Sequence, residues 1–145
     1  MGKKWVSIKG NLFISIFFEL KNKNYNFDFF SLINPHIIQN ILKKHIKKKI
    51  QIKKPNDLLI NKKKLCGILQ EVIYFKKKKY LIIGIGINTI TSPQNKDFNS
   101  TNLQIESIKK IKNIDIMKNI KKSYEELLSD ISKFKISHLI NTIKK

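Results

Sequence analysis

Apolar and polar positions along this chain follow two different periods, and the switches between them mark out its elements. From Leu12 to Phe18 the run Leu-Phe-Ile-Ser-Ile-Phe-Phe is rich in aromatic and β-branched residues. A run that short, closed by Glu19 and an Asn-rich loop at Asn22 to Asn26, predicts a buried strand. After Asn34-Pro35 the period lengthens, with Ile37, Ile38, Ile41, Leu42 and Ile46 recurring at helical spacing. This predicts an amphipathic helix from Pro35 to about Lys47, with Asn34 as its cap and Pro35 as its first residue. The alternative is an earlier helical turn from Asp28 to Ile33, with Pro35 kinking a longer helix. Ile50-Gln51-Ile52-Lys53 returns to strict alternation and predicts a short strand stopped by Pro55.

Further along, Asp57 to Ile60, a turn at Asn61-Lys62-Lys63, and Lys64 to Phe75 predict a hairpin. A second turn at Lys76 to Lys79 leads into a strand from Tyr80 to Asn88, with Gly84 and Gly86 inside it. Thr91 to Thr101 is polar and irregular. From about Asp115, Ile116, Ile120, Tyr124, Leu127, Leu128, Ile131 and Phe134 form one stripe of a long helix, and Ser137 onward reads as a further turn or a fraying end. Hairpins with helices on one side make an α+β fold around a mixed, largely antiparallel sheet. No internal repeat and no interdomain linker is visible, so residues 1–145 read as one domain.

Charge changes the picture less than its size suggests. The formal net charge is +20, from 30 basic and 10 acidic residues. Such a balance ordinarily points to nucleic acid or an anionic membrane. Every basic residue here is Lys, however, and the chain has neither Arg nor Ala. A surface built for phosphate would be expected to use the planar fork of Arg. Loss of Ala and Arg with gain of Ile, Lys and Asn resembles the coding bias of an AT-rich genome, and the lysines are spread rather than clustered. A basic nucleic-acid-binding protein is therefore the lesser reading, without a specific nucleic-acid partner. Cys66 is the sole cysteine, so no internal disulfide forms, which fits a reducing, cytoplasmic setting. The apolar stretch near Leu81 to Ile90 is about half of the roughly 20 residues that span a bilayer, so no membrane association is expected.

Three blocks carry candidate chemistry: Lys53-Lys54-Pro55-Asn56-Asp57, then Lys64-Leu65-Cys66-Gly67-Ile68-Leu69-Gln70-Glu71, then Gly84-Ile85-Gly86-Ile87-Asn88. Lys53 ends a short strand just before a proline, which sets an ammonium group at a sheet end. By position alone it is one of many solvated lysines. Gly67 sits inside a strand, where glycine marks either a bulge or a close approach by another group. Gly84 and Gly86 alternate, so both leave the same face bare. They lack the third glycine and following helix of the dinucleotide fingerprint. Pro55-Asn56-Asp57 reads as a turn shaped by Asn and Asp hydrogen bonds to local backbone, and Cys66 as core packing. His36, His45 and His138 are scattered, without metal or triad spacing.

In this order and spacing the blocks resemble the catalytic domain of the biotin protein ligases. That family shows Lys-Trp-Pro-Asn-Asp, a Lys-(Leu/Ile)-small-Gly-Ile-Leu-x-Glu strand and Gly-Ile-Gly-Ile-Asn. Trp5, Ser7, Gly10, Asn11 and Leu12 continue the likeness to its Trp-x-Ser-x-x-Gly-Asn-Leu segment, and Gly2, Lys3 and Lys4 to the end of its Gly-Arg-rich loop. The resemblance implies a fold akin to class II aminoacyl-tRNA synthetases and an ATP-dependent ligase. Such an enzyme makes biotinoyl-5′-AMP and passes the biotin to a lysine of the biotin carboxyl carrier domain of acetyl-CoA carboxylase. It implies biotin and ATP as substrates, Mg²⁺ as the phosphates' counter-ion, and a homodimer as one assembly. Lys53 would contact the biotin carboxylate and the activated phosphate, Gly67 with Leu58 and Ile68 would lie near biotin, Gly84 and Gly86 would floor the groove, and Asn88 would reach the adenylate. Trp5 belongs to the loop that folds over both ligands. Lys54 stands where the family has an aromatic residue, which removes a packing group from the biotin pocket.

The likeness runs from Gly2 to about Leu128, weakly beyond Asn88. Relative to the family, the strands that hold the ureido ring and most of the Gly-Arg loop would precede Met1, and a small barrel would follow the last residue. The chain is therefore expected to be a partial catalytic domain, inactive or leaky by itself, because an unsealed acyl-adenylate hydrolyses. Lipoate or octanoyl ligases of the same fold are the near alternative; the Lys-x-Pro-Asn-Asp and Gly-Ile-Gly-Ile-Asn blocks favour biotin.

Overall fold

The computed structural model of the chain describes residues 5–21, 25–94 and 98–131. Its order is β1 (Leu12–Glu19), α1 (Phe27–Leu42), β2 (Ile50–Lys53), β3 (Asp57–Ile60), β4 (Lys63–Phe75), β5 (Lys78–Ile87), α2 (Leu103–Glu106) and α3 (Asn113–Ile131). The five strands form one sheet in the order β1-β5-β4-β3-β2, and all four neighbouring pairs are antiparallel. The parallel pairing among the described residues is a single bridge between Lys64 and Ser100. Much of the expected loop at Asn22 to Asn26, the loop residues Gly2 to Lys4, Phe134 and the segment from Ser137 lie outside the described residues.

The strands fall where alternation predicts them, because one face of the sheet is buried and the other is open. Leu81, Ile83, Ile85 and Ile87 of β5 join Leu58, Ile60, Cys66 and Ile68 in the core with residues of α1 and α3. The opposite face carries Phe13, Phe17 and Leu69, all exposed, with Gly67, Gly84 and Gly86 between them. In register, Gly67 stands opposite Gly86, and Gly84 opposite Leu69 on one side and Ser15 on the other. Two-residue turns at Asn61-Lys62 and Lys76-Lys77 close the hairpins with φ between +47° and +64°. That is the geometry matching the right-handed twist of the flanking strands.

The helices differ in detail from the expectation. α1 takes the longer of the two expected forms, with the earlier turn helical and Pro35 inside; it begins at Phe27, and its cap is Asn26, whose side chain accepts a hydrogen bond from the Phe29 amide at 3.0 Å. Pro35 sits inside the helix, and Phe30, Ile33, Ile38, Ile41 and Leu42 are buried around it. That apolar face outweighs the one lost backbone bond. Asn34 is not a cap but a buried core polar group. It accepts from the Tyr124 hydroxyl at 2.8 Å and donates to Gln70, tying α1 to α3 and β4. The helix stops at Leu42, and Ile46 pairs instead with Ser107. α2 was hidden in the sequence. It is a single turn capped by Asn102, which accepts from the Ile105 amide at 3.1 Å. No helix among the described residues is long and apolar enough to cross a membrane.

Candidate functional site

The open face of the sheet bears two adjoining cavities of about 310 and 350 Å³ that share Trp5, Asp57 and Lys64. The first is framed by the end of β2 (Lys53), the start of the hairpin (Leu59, Lys62), Asn88, and a loop carrying Pro93, Phe98 and Asn99. The second is floored by Gly67, Gly84 and Gly86, with Phe13 and Ser15 at its side.

Why the floor is bare follows from the glycines. Trp5 lies against the sheet so closely that a Cβ at Gly86 would meet its ring at 2.6 Å, and one at Gly67 at 2.7 Å. Any side chain there would displace the indole. Gly84 has no such neighbour, and its nearest contact would be Leu69 at 3.9 Å. Of the two readings of Gly67, close approach is what the geometry shows, and the approaching group is a side chain of the protein itself.

Lys53 is exposed, lines the first cavity, and makes no ion pair among the described residues. Lys64 is the more constrained cation. Its ammonium is 2.8 Å from the Asp57 carboxylate and stands 5.1 Å from the Trp5 ring centre and 5.8 Å from that of Phe98. With side-chain exposure of 22% on each partner, this pair is partly shielded from water. A cation above an aromatic face gains from the ring quadrupole, more so when desolvated. Asp57 therefore does more than shape a turn.

Asn88 lines the first cavity, but its side chain is engaged inside the fold. Its amide donates to the carbonyls of Thr101 at 3.1 Å and Lys64 at 3.4 Å, and its oxygen faces the Asn11 amide at 3.5 Å. Asn11 is the larger strut. Its oxygen accepts from the backbone amides of Thr89, Ile90 and Thr91 at 3.1, 3.0 and 3.1 Å, and its amide donates to the Thr91 carbonyl at 2.8 Å. Gly10 precedes it at φ +97°, a left-handed conformation that suits glycine. Gly10-Asn11 thus fixes the chain leaving β5 just behind the cavities.

Two expected site residues need restating. Leu58 is fully buried in the core, because strand alternation turns it away from Asp57 and Leu59, which are the β3 residues that line the cavities. Ile68 contributes to the second cavity while its side chain is almost wholly buried. Cys66 is buried beside them. Desolvation first, and the Asp57 charge second, push its thiol far above the ordinary range, which leaves it a core residue. Lys64 and Asn11 were within reach of sequence reasoning as members of the quoted blocks, but their partners were not. Among the described residues Asp57 is the one carboxylate lining either cavity and is already paired, and there is no group of three metal-ligating side chains; that described donor set does not fit a resident metal.

An antiparallel five-stranded sheet with helices on one face is here the class II aminoacyl-tRNA synthetase-like fold of the biotin protein ligases. The chain belongs to the biotin/lipoate A/B protein ligase family, whose pattern matches residues 1–88. The bifunctional ligase/repressor BirA of Escherichia coli (strain K12) is 35% identical over 89 residues, which is 60% of this chain and 28% of that protein. The biotin protein ligase of Aquifex aeolicus in complex with biotin and ATP superposes with a TM-score of 0.75 at 24% identity, covering 98% of this chain and 60% of the other. That of Leishmania major in complex with biotinyl-5-AMP gives 0.77 at 24% identity, over 99% and 64%. At that identity the two structures establish the shared fold. The chain spans less than two thirds of each of these relatives.

Proposed function

We propose that this chain carries part of the catalytic domain of an ATP-dependent biotin protein ligase, with residues 1–145 forming one domain. The carrying observation is the cavity pair. The Lys53 side chain, in no ion pair among the described residues, lines one cavity, and the next is floored by Gly67, Gly84 and Gly86. In the proposed reaction a biotin carboxylate oxygen attacks the α-phosphorus of ATP, the bond to pyrophosphate breaks, and biotinoyl-5′-AMP forms. An acceptor lysine amine on a biotin carboxyl carrier domain then attacks the acyl carbon, and AMP leaves. Both first-step reactants are anions, so a fixed cation between them stabilises the charge that develops. Lys53 supplies it, since no carboxylate among the described residues pairs with its ammonium. Gly67 and Gly86 let the Trp5 indole lie flat against the sheet and Gly84 stays bare beside it, so the ligand's ring is received at that face, while Ile68 adds apolar lining and Asn88 holds the nucleotide-side wall. Mg²⁺ enters as the counter-ion of ATP. A cytoplasmic location follows from substrates and acceptor of this kind.

The test is ligand-dependent exchange of labelled pyrophosphate into ATP, with biotin, lipoate and octanoate offered separately. Biotin should support exchange, and Lys53→Ala should lower it by about 10²–10³-fold, the usual loss for one electrostatic stabiliser. Exchange with lipoate or octanoate but not biotin would transfer the assignment to the sister activity of the family. Exchange equally fast in Lys53→Ala would remove Lys53 from the reaction.

A further inference from the structure

We propose that Glu106 is a positioning residue for the first cavity, acting through Thr101 to fix the wall formed by Phe98 and Asn99 beside Lys64. The ligase reading enters only as the ligand's identity, because it seats the nucleotide in this cavity. Thr101 is buried where that wall is tied down. Its amide donates to the Lys64 carbonyl at 2.9 Å, and its carbonyl accepts from the Asn88 side chain at 3.1 Å. Two residues earlier, the Asn99 carbonyl accepts from the Lys64 amide at 2.9 Å, and Ser100 bridges to Lys64 in parallel. Lys64, Asn88, Phe98 and Asn99 all line the first cavity. This short stretch therefore joins the start of β4 to the end of β5 across one side of it. The Thr101 hydroxyl, the one polar group left over, donates to Glu106 Oε1 at 2.7 Å.

Glu106 is built to hold that hydroxyl. Its side chain is only 7% exposed, and its other oxygen takes the Lys48 ammonium at 2.8 Å. A buried carboxylate is costly unless it is paired and hydrogen-bonded, and here both oxygens are engaged. The turn that carries it is itself anchored, since the amides of Leu103 and Gln104 donate to the carbonyls of Asn88 and Thr89, each at 2.9 Å. A hydrogen bond to a fixed charge is stronger than a neutral one and sets the orientation of its donor. Neither Glu106 nor Thr101 lines either cavity, so whatever they do for a ligand passes through the residues they hold. The second cavity takes none of its lining from residues 98–106. Loosening Thr101 therefore acts on the first cavity and spares the second.

Calorimetry with ATP and with biotin, each alone on the intact chain, separates the two cavities, and hydrogen exchange reads the Lys64 and Thr101 amides. Glu106→Ala and Thr101→Val should each weaken ATP binding about tenfold, the weight of one hydrogen bond to a charged group, and leave biotin within about twofold. The double variant should bind ATP no more weakly than either single one, because both break the same contact. Thr101→Ser, which keeps the hydroxyl, should bind as the wild type does. Its contrast with Thr101→Val carries the test without touching the carboxylate, should Glu106→Ala fail to fold. Exchange at the Lys64 and Thr101 amides should quicken severalfold in Glu106→Ala and Thr101→Val, with the amides of β5 unchanged. Unaltered ATP binding, or equal losses for ATP and biotin, overturns the positioning role. A wild type that binds neither ligand is instead a failure of the ligase reading. Exchange then still decides: quickening confined to this stretch upholds Glu106 as the group that fixes the wall, and unchanged protection in Glu106→Ala overturns it.

Discussion

Replacing Asn11 by alanine should destabilise the fold by more than almost any other exchange of a side chain so near the surface. Its single oxygen takes three backbone amides, those of Thr89, Ile90 and Thr91, and its amide supplies the Thr91 carbonyl. The Thr89 bond is buried and the other two are partly so. A buried donor stripped of its acceptor costs about 1–3 kcal/mol, and a partly buried one less because water reaches it. Taking about 2 kcal/mol for Thr89 and about half of that for the other two together gives roughly 3 kcal/mol. Urea unfolding followed by circular dichroism measures it, with Asn11→Asp as the control that retains the acceptor. Asn11→Asp should retain most of the stability. A loss under about 1 kcal/mol for Asn11→Ala, within the ordinary range of surface changes, would refute the strut. The chain from Thr89 to Thr91 would then be held by something other than this one amide.

Two further outcomes follow from the titrating groups. Cys66 is fully buried with its thiol pushed far up, so a thiol reagent should label it only as fast as the protein unfolds; immediate labelling in native buffer would contradict its place in the core. Burial alone would raise the Glu106 carboxyl, but hydrogen bonds from Lys48 at 2.8 Å and Thr101 at 2.7 Å, with the charges of Lys48 and Lys63, bring it below its ordinary value of 4.5. A carboxyl lowered in the folded state binds fewer protons folded than unfolded. Its stabilisation is therefore complete above the ordinary carboxylate range and is lost as pH falls through the lower folded value. Wild type should exceed Glu106→Gln in urea midpoint at neutral pH, and the two should converge in acid; a gap unchanged across that range would show that the ionised form is not what stabilises.

Much of the architecture was legible because strands with one buried face write their alternation into the chain. β2 and β3 fall at the predicted residues, and β1, β4 and β5 within two residues of them. The helices were less so. Pro35 reads locally as a helix start, yet tertiary burial of Phe30 and Ile33 carries α1 back through it to Asn26. α2, four residues long, has too few positions to show a period. At the site, the lysine at a strand end and the paired glycines stood out by residue type and spacing.

What the amino-acid order alone determined is the sheet, its bare glycine face and the family blocks, since these depend on period and on neighbours close in sequence. Which groups meet was decided by the tertiary structure. Trp5 reaches Gly67 and Gly86, Lys64 takes Asp57 and two rings, and Asn11 ties down Thr89 to Thr91 across more than seventy residues. Hydrogen bonds, ion pairs and ring contacts act over a few ångströms. Their partners are therefore set by strand register and packing, which no local pattern records.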